Sequence, residues 1–121
     1  MPTSPDFSAL FRAIDAKDAD GFAAQLADDA VFVYGSQPPV QGRGAIRDYV
    51  AAFFGSLTGI EHHLGEVHRA GAEVTIVEGR VTYRRDGEPP VTIPFANVLR
   101  QRGDEPFHDY RIYIDPTPLG P

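Results

Sequence analysis

The second half of this chain holds the pattern that most restricts its fold. Four β-type runs, Ile60–Arg69, Glu73–Arg85, Val91–Arg102 and Phe107–Asp115, are separated by Ala70-Gly71, Asp86-Gly87 and Gly103-Asp104. Short turn pairs of this kind join neighbouring antiparallel strands and leave no room for crossover helices. The first half reads differently. Phe7, Leu10, Phe11 and Ile14 recur at helical spacing behind a Ser4-Pro5-Asp6 start, in which a hydroxyl cap precedes proline and an acid. Asp18 or Asp20 can cap a second short helix with Phe22 and Leu26 facing inward, ended by Asp28-Asp29. Ala30–Ser36 reads as a strand, a Pro- and Gly-rich loop follows, and Ala45–Phe54 returns to helical spacing through Ile46, Tyr49, Val50 and Phe53.

Helices followed by a run of strands indicate an α+β fold rather than a doubly wound one. The expectation is a curved antiparallel sheet packed against N-terminal helices. At 121 residues the chain holds one core, so 1–121 is read as a single domain with 116–121 as a surface tail.

Charge and composition exclude several classes. Residues 1–30 hold six acids and two bases, and the nine arginines after residue 40 are scattered, so no basic face for nucleic acid is expected. With no cysteine, disulfides, thiolate catalysis and cysteine-held metal centres are ruled out. Met1-Pro-Thr-Ser-Pro has neither a basic stretch nor an apolar run, and no segment is long and apolar enough to span a bilayer. A cytoplasmic location without membrane contact is the default expectation.

Four segments carry a resemblance: Leu26-Ala-Asp-Asp-Ala-Val-Phe, Gly42-Arg-Gly-Ala-Ile-Arg-Asp-Tyr, Ile93-Pro-Phe-Ala-Asn-Val-Leu and Asp109-Tyr-Arg-Ile-Tyr-Ile-Asp. In this order and spacing the chain resembles the SnoaL-like branch of the nuclear transport factor 2-like superfamily. The resemblance implies a cone-shaped half barrel with a deep apolar pocket, and a homodimer through the outer sheet face. The family includes ketosteroid isomerases, polyketide cyclases and limonene-type epoxide hydrolases, so fold is implied more firmly than function.

Polar residues inside apolar strand rows are the candidate chemistry. Asn97 interrupts the row Val91, Ile93, Phe95, Leu99 and is either a satisfied structural amide or a pocket hydrogen-bond donor. By resemblance it stands where isomerases and epoxide hydrolases carry an aspartate, and an amide cannot exchange a proton as that acid does. Tyr34 shares a row with Ala30 and Phe32 and could offer its phenol to a ligand oxygen or sit at a wet rim. It stands near the position of the isomerase base, which is therefore missing. Ile60, His62, Leu64, Glu66 and His68 are expected on one face, His62 being the acid/base candidate because imidazole titrates near neutrality. His62 and His68 would lie about 20 Å apart at ~3.3 Å per residue, so no metal site is expected from them. Glu78, following Val74 and Ile76, is a candidate pocket carboxylate.

The last strand divides into Asp109, Arg111, Tyr113 and Asp115 on one row and Tyr110, Ile112 and Ile114 on the other. Alternation alone turns the isoleucines inward. The resemblance reverses this: cyclases of the branch keep an acid/base aspartate towards the end of this strand, which Asp115 resembles. Arg111 and Tyr113 would then line the pocket, with Arg111 orienting Asp115. Other motifs fail. Gly42-Arg-Gly44 lacks the rest of a phosphate loop, Gly-x-Ser-x-Gly is absent, and the acids Asp15–Asp20 read as solvated capping.

The resulting expectation is a pocket for a small apolar or polycyclic ligand, with acid/base turnover that needs no cofactor. Asp115 or His62 would move the proton while Asn97 and Tyr34 hold an oxygen. The alternative is a non-catalytic binding or dimerisation module of the same shape. Convergence of Asp115, His62 and Asn97 on one cavity separates the two, and Asp115 in bulk solvent would remove it from catalysis.

Overall fold

The computed structural model describes residues 7–120. The helix start read at Ser4-Pro5-Asp6 lies outside them. In α1 (Phe7–Asp15), Leu10, Phe11 and Ile14 are buried along one face, as their spacing requires. Asp18 starts α2 (Ala19–Ala23) by accepting a 2.9 Å bond from the Gly21 N–H. Leu26 does not extend this helix. It opens β1 (Leu26–Tyr34), buried opposite Phe107, and Asp28 and Asp29 are exposed where the β1 register is irregular.

After β1 comes an unexpected two-residue strand, β2 (Val40–Gln41), which pairs with Val31 and Phe32. So short a strand leaves no alternation to read. α3 (Arg43–Gly55) then buries Ile46, Val50 and Phe54.

β3 (Gly59–Ala70), β4 (Val74–Arg84), β5 (Val91–Arg100) and β6 (Phe107–Ile114) form the expected antiparallel meander. The six strands lie in the order β2-β1-β6-β5-β4-β3. β1 runs parallel to β6, so the sheet is mixed rather than wholly antiparallel. Parallel neighbours need a long connection, and the α3 and meander residues between β1 and β6 supply one. The three helices cover the concave face: Phe11 packs on Phe95, Phe22 on Tyr110, and Phe53 against Tyr83. Each such burial contributes about 1.5–3 kcal/mol. Among the described residues, no helix is long and apolar enough to cross a membrane.

One irregularity decides which side chains meet the cavity. Leu64 lies opposite Gly79, yet Val67 lies opposite Val77, so β3 carries one extra residue between them. Such a bulge reverses the in–out parity beyond it. His62 faces inward, and His68 faces out. The bulge needs close backbone approach: a Cβ on Gly79 would lie 2.5 Å from the His63 carbonyl oxygen, and one on Gly65 would lie 3.0 Å from that of Glu78.

Candidate functional site

The inner rows of β4, β5 and β6 and the apolar faces of the helices enclose a small chamber. Its lining is apolar except for His62, Asn97 and three tyrosines, Tyr34, Tyr83 and Tyr110. A water-sized sphere can place its centre in about 40 Å³ of it, room for about three waters at ~10–15 Å³ each. A wider outer chamber of about 680 Å³ by the same measure adjoins it, and Phe32, Tyr34, Val50 and Phe53 border both.

His62 is the best-fixed polar group of the inner chamber. Its ring lies against Phe11 and Phe95, with centroids 4.9 and 5.4 Å away. Its Nδ1 bonds the Asp15 carboxylate at 2.6 Å, and the other Asp15 oxygen accepts the His62 backbone N–H at 3.2 Å. A carboxylate only accepts, so in the neutral ring Nδ1 carries the proton and Nε2 keeps the lone pair. Asp15 thereby fixes both the rotamer and the tautomer of the residue, leaving Nε2 to meet a ligand.

From the sequence alone Asp15 reads as one of the solvated acids Asp15–Asp20 rather than as a partner of His62. One signal was present. It is the last residue of α1, where the helix macrodipole disfavours a negative charge. An acid in that place needs another reason to be there, and His62 supplies one.

Two further polar pairs face the chamber. The Tyr34 and Tyr83 hydroxyls lie 3.1 Å apart. Since one hydroxyl donates to the other, the second keeps its own proton for a ligand oxygen. Asn97 is buried, and its Nδ2 donates to the Tyr110 hydroxyl at 3.2 Å, while its Oδ1 has no partner among the described residues. Asn97 was expected to offer a donor; in this arrangement its amide presents an acceptor. Turning the amide by 180° exchanges the two ends. Burial pushes the Tyr34, Tyr83 and Tyr110 phenols above their ordinary range, so they stay neutral donors well beyond physiological pH. Tyr83 and Tyr110 were missed, although each continues an inward row, Val77-Val81-Tyr83 on β4 and Tyr110-Ile112-Ile114 on β6.

The remaining candidates lie outside. Ile112 and Ile114 line the chamber, as alternation alone predicted, and the Asp109–Asp115 row faces away. Asp115 is exposed; the Thr117 hydroxyl and then the Thr117 N–H, at 3.0 Å, donate to its carboxyl and hold it below the usual carboxylate range. It cannot act on a ligand in the chamber. Arg111 does not orient Asp115 but forks onto Asp109, at 2.8 and 3.2 Å. Tyr113 is 58% exposed on the same outer face. Glu78 also points outward, 2.8 Å from His68 Nε2, with Glu66 3.7 Å from the same nitrogen. These three exposed side chains bring metal-capable donors within 4.8 Å of one another, the third coming from β4 rather than from β3.

Residues 7–105 match the family described as the SnoaL-like domain. The chain belongs to this family. Solved structures share the fold over most of the SnoaL-like chain. A Catenulispora acidiphila protein of ketosteroid isomerase-like fold, solved in complex with trimethylamine, is 23% identical with a TM-score of 0.80, over 92% of this chain and 86% of that one. A Jannaschia sp. CCS1 protein named as a SnoaL-like polyketide cyclase is 16% identical with a TM-score of 0.78, covering 98% and 92%. An epoxide hydrolase from M. tuberculosis is 20% identical with a TM-score of 0.75, covering 90% and 79%. Likeness at these identities is a likeness of fold. No curated protein matches the sequence.

Proposed function

We propose that this SnoaL-like domain binds a small, largely apolar molecule and moves a proton on it, with His62 as the acid/base group and Asp15 as its positioning residue. The observation that carries the reading is the Asp15–His62 bond of 2.6 Å at the wall of an apolar chamber. An imidazole held in one tautomer by a carboxylate is suited to take a proton at Nε2 and return it. The neutral Tyr34–Tyr83 pair then supplies a donor for the oxygen on which charge develops, as in isomerisation, cyclisation or water addition. No step needs a cofactor.

A second reading is a binding-only module. It is favoured by one observation: the β6 residues facing the chamber are Ile112 and Ile114, not Arg111 and Asp115.

Proton transfer can be measured without knowing the natural substrate. In D2O, small cyclic ketones should exchange their α-hydrogens faster with the protein than without it, as followed by proton NMR. His62→Gln should remove about 10²-fold or more of that acceleration. Acceleration that survives in His62→Gln contradicts the assignment. Binding of the ketones without any acceleration supports the binding-only module.

A further inference from the structure

The segment read as a surface tail does not hang free. Asp115 Oδ1 accepts the Thr117 N–H, closing a turn at the start of a short 3-10 helix, Thr117–Leu119. Leu119 then packs against the hydrophobic core. With Pro116, Thr117 and Gly120 it walls the outer chamber, opposite Tyr49 of α3 and Gln37 of the loop after β1.

The two volumes decide what can sit where. Pockets for drug-sized molecules measure about 300–1,000 Å³. The outer chamber, at about 680 Å³, falls in that range, and the inner one, at about 40 Å³, does not. A ligand whose proton reaches His62 therefore divides. A slim end enters past Tyr34 and Phe53, and anything larger stays outside them.

Resting on the reading of the inner chamber as the reaction site, we propose that the outer chamber is a second subsite for the two- or three-ring apolar body of the ligand. Asp115, by holding the C-terminal turn, positions Leu119 as the wall of that subsite. Phe32, Tyr49, Phe53 and Leu119 offer apolar faces to the body, and Gln37 and Thr117 provide the polar rim for one hydrogen-bonding edge. The ligand class is a fused- or linked-ring compound with a short reactive arm. The aspartate at the end of β6 thus acts on selectivity from outside the reaction site.

Two probes separate the subsites. N-phenyl-1-naphthylamine, a neutral three-ring fluorophore, reports the outer chamber, and phenol, followed by the NMR shift of His62, reports the inner one. In the full chain, Leu119→Ala and Asp115→Ala should each weaken the fluorophore about tenfold. Asp115→Asn, whose amide oxygen can still close the turn, should restore most of that affinity. Phenol binding should stay within about twofold in all three, which also shows that they fold. If Leu119→Ala and Asp115→Ala leave fluorophore affinity unchanged, or weaken both probes equally, the second subsite is refuted. If the unmutated chain binds phenol but not the fluorophore, this proposal fails and the inner-chamber reading stands; if it binds neither, both fail.

Discussion

His62 and His68 lie six residues apart on β3, and each bonds a carboxylate at nearly the same distance, 2.6 Å to Asp15 and 2.8 Å to Glu78. Their surroundings differ. The His62 side chain is 8% exposed and clasped between Phe11 and Phe95, whereas that of His68 is 47% exposed on the outer sheet face. The partner of His62 comes from another element, 47 positions away; that of His68 comes from the facing strand. A pair held among aromatic rings keeps its geometry, while an exposed pair is loosened by water and screened by salt. Distance alone therefore does not mark a functional histidine. The single extra residue at the bulge separates the two cases, because without it both histidines would share a face.

The largest effect is expected at high pH, on the inner side. Tyr83 and Tyr110 are held neutral by burial when folded, yet ionise near pH 10 when unfolded. Above that pH the unfolded state binds fewer protons, so stability must fall as pH rises. The loss is about 1.4 kcal/mol per phenol by pH 11, or about 3 kcal/mol for the pair. Urea unfolding at pH 8 and pH 11 measures it, and equal stabilities would mean the phenols are not buried.

Next comes the bulge itself. Gly79→Ala would place a methyl 2.5 Å from the His63 carbonyl oxygen and 3.1 Å from Phe95, costing about 2 kcal/mol. Thermal unfolding should shift down by about 10 °C; an unshifted transition would show that the strand pair has slack there. Asp15→Ala should cost about 1–2 kcal/mol, because the His62 ring, itself enclosed by Phe11 and Phe95, loses a charge-assisted bond. The smallest effect belongs to the outer pair: Glu78→Gln or His68→Gln should change stability by no more than about 0.5 kcal/mol. Equal costs for Asp15→Ala and Glu78→Gln would erase the distinction between the two sites.

Much of this was legible in the chain. The α+β order, the meander and the inward row Ile93-Phe95-Asn97-Leu99 follow from turn residues and period-2 alternation, both local properties. His62 and Tyr34 were legible for the same reason. What was not legible depended on contacts between distant segments. Asp15 looks like a capping acid until α1 is laid against β3. The parity of His68 and Glu66 reads wrongly because nothing local announces the extra residue; only Gly65 and Gly79, spaced to face each other, hint at it. Glu78 was misplaced because Val74 and Ile76 make its row look inward, while the buried row is Thr75, Val77, Val81 and Tyr83. For Asp115, alternation and resemblance disagreed, and alternation prevailed: a residue in step with Arg111 and Tyr113 must share their outer face.

Asp15 and the inner chamber set His62 apart from the exposed His63 and His68. The most direct measurement is NMR of the protein labelled with ¹⁵N at histidine, with and without phenol, in the parent chain and in Asp15→Ala. We expect a protonated Nδ1 on His62 whose signal shifts in Asp15→Ala, and a phenol response at His62 Nε2 that leaves His63 and His68 unmoved. A His62 ring indifferent to both Asp15→Ala and phenol would contradict it.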